Sequence, residues 1–222
     1  MRHLKTVVFG LSGNPPTQNH LVFIQYLLSL KKYDLVRVVL NAQSPLKPSS
    51  DYIDAEARFE LLKTMLDSAA IDWNRCVLER LEIERPPPSR MFDTLKALIT
   101  RAKHQNISEQ ITLVLGLDAL MQFTDWYQWD AYGVLCEINF YPRADIAIDL
   151  DSKIIQKQLN LLHASGVKAS VIRDEKNNLP MVAGSASNAR QHYALGQPGI
   201  PRGMTLSVDK LIRARGYYGA TS

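Results

Sequence analysis

Residues 5–20, KTVVFGLSGNPPTQNH, join a short apolar run to a loop rich in glycine and proline. The run from Lys5 to Gly10 contains β-branched residues and ends at a glycine, which predicts a strand. Apolar residues then recur at helical spacing, at Leu21, Ile24, Leu27 and Leu28, and predict a helix over about 19–31. A strand, a tight loop and a helix in this order are typical of the first unit of a parallel sheet.

The same alternation continues along the chain. Further strands are predicted at 34–40, 75–84, 110–115, 136–141 and 168–172. Helices are predicted at 52–70, 91–104, 151–165, 185–195 and 207–216, with two short helices between 118 and 132. Right-handed crossovers place helices on both faces of such a sheet. We therefore expect one α/β domain over residues 1–222, a Rossmann-like, doubly wound, mostly parallel sheet with a small C-terminal helical segment at about 185–216.

The composition excludes several classes of protein. The chain has 222 residues, of which 46% are hydrophobic and 22% charged, as in ordinary globular domains. Its two cysteines form no C-x-x-C pair, which argues against a zinc site or a redox dithiol. No apolar stretch approaches the roughly 20 residues of a membrane span, and the N-terminus lacks a signal peptide, so we expect a cytoplasmic protein. A net charge of +4 without basic runs is weak evidence for nucleic-acid binding and is equally expected of a protein that binds small polyanions.

The loop after the first predicted strand has the features of a phosphate site. Gly10 and Gly13, with Leu11 and Ser12 between them, let the backbone approach a ligand closely. His20 falls in the first turn of the next helix, where unpaired backbone N–H groups favour an anion. The loop matches neither the Walker A nor the dinucleotide-binding pattern, so kinase and dehydrogenase functions lose support. From these residues alone, a tight turn followed by a surface histidine stays open as the alternative.

Three ordered motifs resemble one family. Residues 10–20 resemble the G-G-[ST]-F-[DN]-P-x-[HT]-x-G-H signature of the HxGH/TxGH nucleotidyltransferases, with matches at Asn14, Pro15, Thr17 and His20. Residues 113–130 resemble the G-x-D-x-[LF]-x-x-[LF]-x-x-W segment, with matches at Gly116, Asp118, Leu120, Phe123 and Trp126. Residues 185–190, SASNAR, resemble the [IV]-S-[SA]-T-x-[IV]-R motif. Together the motifs resemble those of the nicotinate mononucleotide adenylyltransferases of bacterial NAD synthesis.

The resemblance implies adenylyl transfer from ATP to nicotinate mononucleotide, which gives nicotinate adenine dinucleotide and pyrophosphate. It implies Mg²⁺ held mainly by the ATP phosphates, without a protein metal site, and small-molecule partners rather than nucleic acid or membranes. The catalytic residues it implies are His20, Thr17 and Arg190. The ATP-binding residues it implies are Gly10, Leu11, Ser12, Gly13, Asn19, Ser185, Ser187 and Arg190. The acceptor-binding residues are Lys47, Arg90, Gly116, Asp118 and Trp126, with Asp118 on ribose hydroxyls and Trp126 stacked on the pyridine ring.

The chain also departs from the family pattern. Asn19 stands at the glycine of H-x-G-H, and Leu46 stands at the histidine of the P-P-H-[KR] segment. Residues 89–95 align with S-Y-T-x-x-T-L but lack its tyrosine and first threonine. Arg90 stands at the position of the missing tyrosine and is predicted to pair with the acceptor's carboxylate.

Several alternatives therefore stay open. Nicotinamide mononucleotide, phosphopantetheine or another phosphate monoester could be the acceptor. A further alternative is that the protein is not an enzyme but a non-catalytic nucleotide-binding regulator. Trp126 could equally be a core residue, and Arg58 is expected to be structural. The sequence leaves the oligomeric state open, a homo-oligomer included.

Overall fold

The computed structural model describes residues 2–43, 52–142, 152–172 and 182–221. Within these residues, six strands form one sheet in the order β3-β2-β1-β4-β5-β6, and every pair is parallel. The strands are β1 (Arg2–Leu11), β2 (Leu35–Leu40), β3 (Cys76–Glu79), β4 (Ile107–Gly116), β5 (Glu137–Tyr141) and β6 (Ala169–Val171). The predicted Rossmann-like, doubly wound fold is confirmed.

Helices connect the strands, and two further helices of the described chain follow the last strand. They are α1 (Gln18–Ser29), α2 (Ala55–Ser68), α3 (Met91–His104), α4 (Leu117–Leu120), α5 (Lys153–Ala164), α6 (Ala186–Ala194) and α7 (Leu206–Arg215). Short 3₁₀ segments span Phe123–Asp125, Trp129–Val134 and Tyr217–Gly219. None of the helices in the described part of the chain is long and apolar enough to cross a membrane.

The sheet has a hydrophobic core on each face. On β1, Val7 and Phe9 face one core while Val8 between them faces the other, because successive strand residues point to opposite sides. The first core includes buried residues of α1, α2, α6 and α7. The second includes those of α3 and α5. Burial on both faces explains why the central strands read as nearly continuous apolar runs.

Several elements differ in extent from the prediction, most clearly β1, β4, β3 and the region 118–132. β1 and β4 are longer than expected, because their amino-terminal halves pair with each other from Arg2 opposite Ile107 onward. β3 is shorter and ends at Glu79, because the backbone turns there and the carbonyl of Arg80 accepts hydrogen bonds from the N–H groups of Ile83 and Glu84. Between residues 118 and 132 the expected two helices are the four-residue α4 and short 3₁₀ segments.

Arg58 on α2 ties together the loops that follow β1 and β2. Its side chain is fully buried. Nη1 donates to the carbonyls of Ser12 and Asn41, both at 2.7 Å, and Nη2 donates to the carbonyl of Ala42. Nε donates to the carbonyl of Ile53 at 3.1 Å. Burial lowers the pKa of Arg58, and four backbone acceptors compensate the buried guanidinium. The structural role expected for Arg58 is the one it has here.

Glu82 holds the turn before α3 in the same way, as an acceptor. The residue is 1% exposed, and its carboxylate accepts hydrogen bonds from the hydroxyls of Ser89 and Thr94, the latter at 2.8 Å. Burial raises the pKa of Glu82, although these hydrogen bonds act in the opposite direction. The position of Arg90, between the two donors in sequence, therefore depends on a buried carboxylate.

Replacing Arg58 is expected to destabilise the protein strongly. Arg58→Met leaves buried carbonyls without donors, so the free energy of unfolding should fall by about 3 kcal/mol or more. Urea denaturation measures this. Lys63→Met on the same helix is the matched control, because its ion pair with Asp67 is exposed and should contribute only about 0.3–0.5 kcal/mol. Equal losses in the two variants would contradict the role given to Arg58.

Glu82→Gln should change the pH dependence of stability. The raised pKa means that the folded state favours the protonated carboxyl. The resulting stabilisation is complete below the unfolded value of about 4.3 and is lost as pH rises through the folded pKa. The amide does not titrate, so the variant should gain stability relative to the parent as pH rises from about 4.3. Urea denaturation from pH 4 to pH 8 tests this, and a constant difference would contradict it.

Candidate active site

A cavity of about 390 Å³ opens at the edge of the sheet where the strands end. Its walls come from the loop after β1, the first turns of α1, α3 and α6, and the end of β4. All of the described residues that the sequence predicted for the site line this cavity: Gly10, Leu11, Ser12, Gly13, Thr17, Asn19, His20, Arg90, Gly116, Asp118, Trp126, Ser185, Ser187 and Arg190. Lys47 lies outside the described residues, as does Leu46.

The loop after β1 approaches the cavity with its backbone. Gly13 has φ +53°, in the left-handed region that a side chain disfavours, and a Cβ there would lie 2.9 Å from the Cδ1 of Leu40. At Gly10 a Cβ would lie 2.7 Å from the Cε of Met91. A side chain at Gly13 is therefore disfavoured by the backbone conformation, whereas at Gly10 a Cβ would displace only the flexible end of Met91.

His20 and Thr17 form one unit at the start of α1. Thr17 is the N-cap residue, and its backbone N–H donates to Nδ1 of His20 at 2.9 Å. The Thr17 hydroxyl lies at the same distance from Nδ1. Since Nδ1 accepts, the neutral imidazole carries its proton on Nε2. The capping interaction thus fixes both the orientation of the ring and the nitrogen that can donate.

Arg190 lies on α6, and its side chain reaches the loop after β1. Its Nη1 donates to the carbonyl of Asn14 at 2.7 Å, and its Nη2 lies 3.4 Å from the hydroxyl of Ser187. The hydroxyl of Ser185 caps α6 by accepting from the N–H of Asn188 at 3.2 Å. The loop after β1 and helix α6 are therefore in direct contact, although Asn14 and Arg190 are more than 170 residues apart in sequence.

Asn19 points its amide at the chain that leads into α6. Its Nδ2 donates to the carbonyl of Gly184 at 3.1 Å, and its Oδ1 accepts from the N–H of Val182 at 2.8 Å. Asn19 lines the cavity, as predicted for an ATP-binding residue, but both of its polar atoms contact protein backbone. Its place in the first motif gave no indication of these contacts.

The other end of the cavity carries aromatic rings and Arg90. The guanidinium of Arg90 stacks on the ring of Tyr127, 4.1 Å from its centroid. Trp126 is half-buried, and its ring centroid lies 5.2 Å from that of the buried Phe123. Trp126 therefore packs against the core and also lines the cavity, and its stacking on a ligand ring stays a prediction. Asp118, in the first turn of α4, is exposed on the cavity wall.

Contacts of Tyr127 and Tyr218 with residues of the site were not foreseen. Tyr127 supports Arg90, and the hydroxyl of Tyr218 donates to Oδ1 of Asn14 at 2.8 Å. Tyr127 follows a motif tryptophan and could have been found by proximity in sequence. Tyr218 is 204 residues from its partner and belongs to no motif, so the sequence offered no signal for it.

The described residues contain no group of three or more His, Cys, Asp or Glu side chains arranged to hold a metal ion. Asp118 and Asp125 are the only acidic residues among the described ones that line the cavity. The starts of α1 and α6, together with Arg190, suit a ligand that carries phosphates, and Trp126 and Arg90 line the same cavity.

Comparisons with known proteins agree with the motifs. The model of the cytidylyltransferase-like family matches residues 9–175. The nicotinate-nucleotide adenylyltransferase of Bacillus subtilis is 30% identical over 126 residues, and the match spans 57% of this chain and 62% of that protein. A probable nicotinate-nucleotide adenylyltransferase of Bacteroides fragilis is 26% identical over 149 residues, spanning 67% of this chain and 70% of that protein.

A solved structure shares the fold over the full length. The nicotinic acid mononucleotide adenylyltransferase of Plasmodium falciparum, complexed with APC, superposes with a TM-score of 0.72 at 15% identity and covers 98% of each chain. Because the family model extends over most of the sequence, from the end of β1 to just past β6, the chain belongs to the cytidylyltransferase-like family.

Proposed function

We propose that this chain transfers the adenylyl group of ATP to nicotinate mononucleotide, forming nicotinate adenine dinucleotide and pyrophosphate in NAD synthesis. One observation carries the proposal: the Thr17–His20 turn and the Ser187–Arg190 pair line the same end of one cavity, although distant in sequence. The relatives named as nicotinate-nucleotide adenylyltransferases support this acceptor.

The reaction requires charge stabilisation rather than a base. A phosphate oxygen of the acceptor attacks the α-phosphorus of ATP, and the bond from that phosphorus to the oxygen shared with the β-phosphate breaks. Pyrophosphate leaves with the bonding electrons. Since the nucleophile is already an anion, catalysis consists of positioning and of neutralising charge in the transition state. Nε2–H of His20 donates to an α-phosphate oxygen as its charge grows.

The remaining phosphate contacts come from both helix starts. Thr17 and Ser187 supply hydroxyls, and the guanidinium of Arg190 holds the ATP phosphates as a fork. In this proposal, the C-terminal helices at about 185–216 complete the ATP site of a single domain. ATP arrives as its Mg²⁺ complex, and the scarcity of carboxylates at this end of the cavity fits a metal carried by phosphates and water. The metal supplies charge neutralisation for the leaving pyrophosphate.

The acceptor occupies the other end of the cavity. Asp118 accepts from ribose hydroxyls beside the backbone of Gly116, and the exposed part of Trp126 stacks on the pyridine ring. Arg90, oriented by Tyr127, pairs with the carboxylate of the nicotinate ring. Lys47 contacts a phosphate in this proposal, and the enzyme works in the cytoplasm on these small molecules.

Pyrophosphate release tests the function. The protein is incubated with Mg²⁺-ATP and, in parallel, nicotinate mononucleotide, nicotinamide mononucleotide or phosphopantetheine. Release is expected with nicotinate mononucleotide above the other two. Faster pyrophosphate release with another acceptor would show that this acceptor is the preferred substrate. ATP binding without pyrophosphate release in the presence of any of the three would favour a nucleotide-binding regulator.

In the same assay His20→Ala is expected to lower kcat by about 10²–10³, the cost of removing one donor to developing charge. The free energy of unfolding should fall by only about 1 kcal/mol, because the Thr17 N–H loses its side-chain acceptor, and this is too little to explain the loss of kcat. His104→Ala, at the opposite end of α3 from the cavity, is the control and should keep normal turnover. A His20→Ala enzyme with more than a tenth of the parent kcat would rule out this role.

Arg90→Ala is expected to lower the ratio of kcat/KM for nicotinate over nicotinamide mononucleotide by about tenfold or more, because a charge-assisted hydrogen bond is lost. Lys96→Ala removes a cation from the same helix at a position that does not line the cavity, and should leave the ratio unchanged. An unchanged ratio in Arg90→Ala would show that the carboxylate is read by other groups.

A further inference from the structure

The side chain of Asn19 joins two parts of the site that the fold brings together from opposite ends of the chain. Its amide donates to the carbonyl of Gly184 and accepts from the N–H of Val182, at 3.1 and 2.8 Å. Both partners belong to irregular backbone, outside any strand or helix. The amide therefore gives this segment the kind of paired contact that a neighbouring strand would give.

The position of these contacts links them to the phosphate groups. Asn19 directly precedes His20, and Gly184 directly precedes Ser185, the N-cap of the helix that carries Ser187 and Arg190. One side chain thus connects the two elements proposed to grip ATP. The primary amide of asparagine carries its donor and its acceptor on separate atoms, so one side chain serves a backbone carbonyl and a backbone N–H at the same time.

The segment is also held from its other side. Gly184 has φ +123°, and a Cβ there would lie 2.1 Å from the carbonyl oxygen of Arg202. Gly203 also approaches Gly184, since a Cβ on Gly203 would lie 3.0 Å from the Cα of Gly184. The backbone before α6 is therefore confined between the amide of Asn19 and the chain at 202–203.

We propose that Asn19 is a positioning residue, which holds the segment 182–190 against α1 in the arrangement that binds ATP before ATP arrives. The proposal rests on the proposed function for its kinetic consequence. A protein whose competent arrangement is only partly populated binds its ligand more weakly by that fraction. Removing the amide therefore weakens ATP binding, while the acceptor, bound at the far end of the cavity, is unaffected.

The experiment compares Asn19→Gly and Asn19→Ala with the parent protein. Hydrogen exchange at the Val182 amide should accelerate about tenfold or more, because its acceptor is gone, while amides of β1 and β4 exchange at the parent rate. The KM for ATP should rise about five- to tenfold, the size expected from one or two lost hydrogen bonds. The KM for nicotinate mononucleotide should stay the same.

Gln18→Ala is the matched control. Gln18 also ties α1 to the C-terminal part of the chain, through its Nε2 and the carbonyl of Met204 at 3.2 Å, but it does not touch the segment before α6. Its removal should leave Val182 exchange and both KM values unchanged. A rise in the KM for ATP as large as that of the Asn19 variants would overturn the proposal.

Other outcomes separate this proposal from the proposed function. Unchanged Val182 exchange in Asn19→Gly, or equal increases in both KM values, would show that Asn19 does not position the ATP site. If the parent protein releases no pyrophosphate, the proposed function fails. The positioning role is then decided by Val182 exchange together with the affinity for α,β-methylene-ATP, measured by calorimetry, which should fall about five- to tenfold in Asn19→Gly.

Discussion

Parallel pairing of the strands is the constraint on which the site depends. Because every strand pair in the described sheet is parallel, the carboxyl ends of the strands meet along one edge. α1 and α3 begin beside that edge, and α6 begins at the same cavity. The unpaired N–H groups of a helix start carry partial positive charge. Groups suited to phosphate thus gather around one cavity although Thr17 and Arg190 come from opposite ends of the chain.

In the described loops at this edge, side chains supply hydrogen bonds of the kind that backbone groups exchange within the sheet. Arg58 donates to carbonyls of two loops, Glu82 accepts from hydroxyls beside α3, and Asn19 does both for the chain before α6. Arg58 and Glu82 are buried, and they pair with polar groups that also need partners, whereas Asn19 is partly exposed. The shape of the cavity is therefore set by polar residues that need not touch a ligand.

Local sequence patterns predicted the sheet and its helices, and the family motifs indicated about half of the residues around the cavity. Strand and helix periodicity are properties of neighbouring residues, and the motifs mark loops that follow strands. The patterns failed at the end of β3, where Leu81 and Ile83 continue an apolar alternation although the backbone has already turned. They also gave no sign of the contacts of Tyr127 and Tyr218, because such contacts depend on how distant elements pack rather than on spacing along the chain.

The hydrogen bond from Tyr218 to Asn14 closes a loop of 204 residues. During synthesis the first βα units can form while most of the chain is still missing, since their contacts are local. The loop after β1 lacks this partner, and also Arg190, until α6 and the segment Tyr217–Gly219 have been synthesised. A nascent chain therefore contains the loop after β1 long before it contains the residues that hold this loop in its folded arrangement.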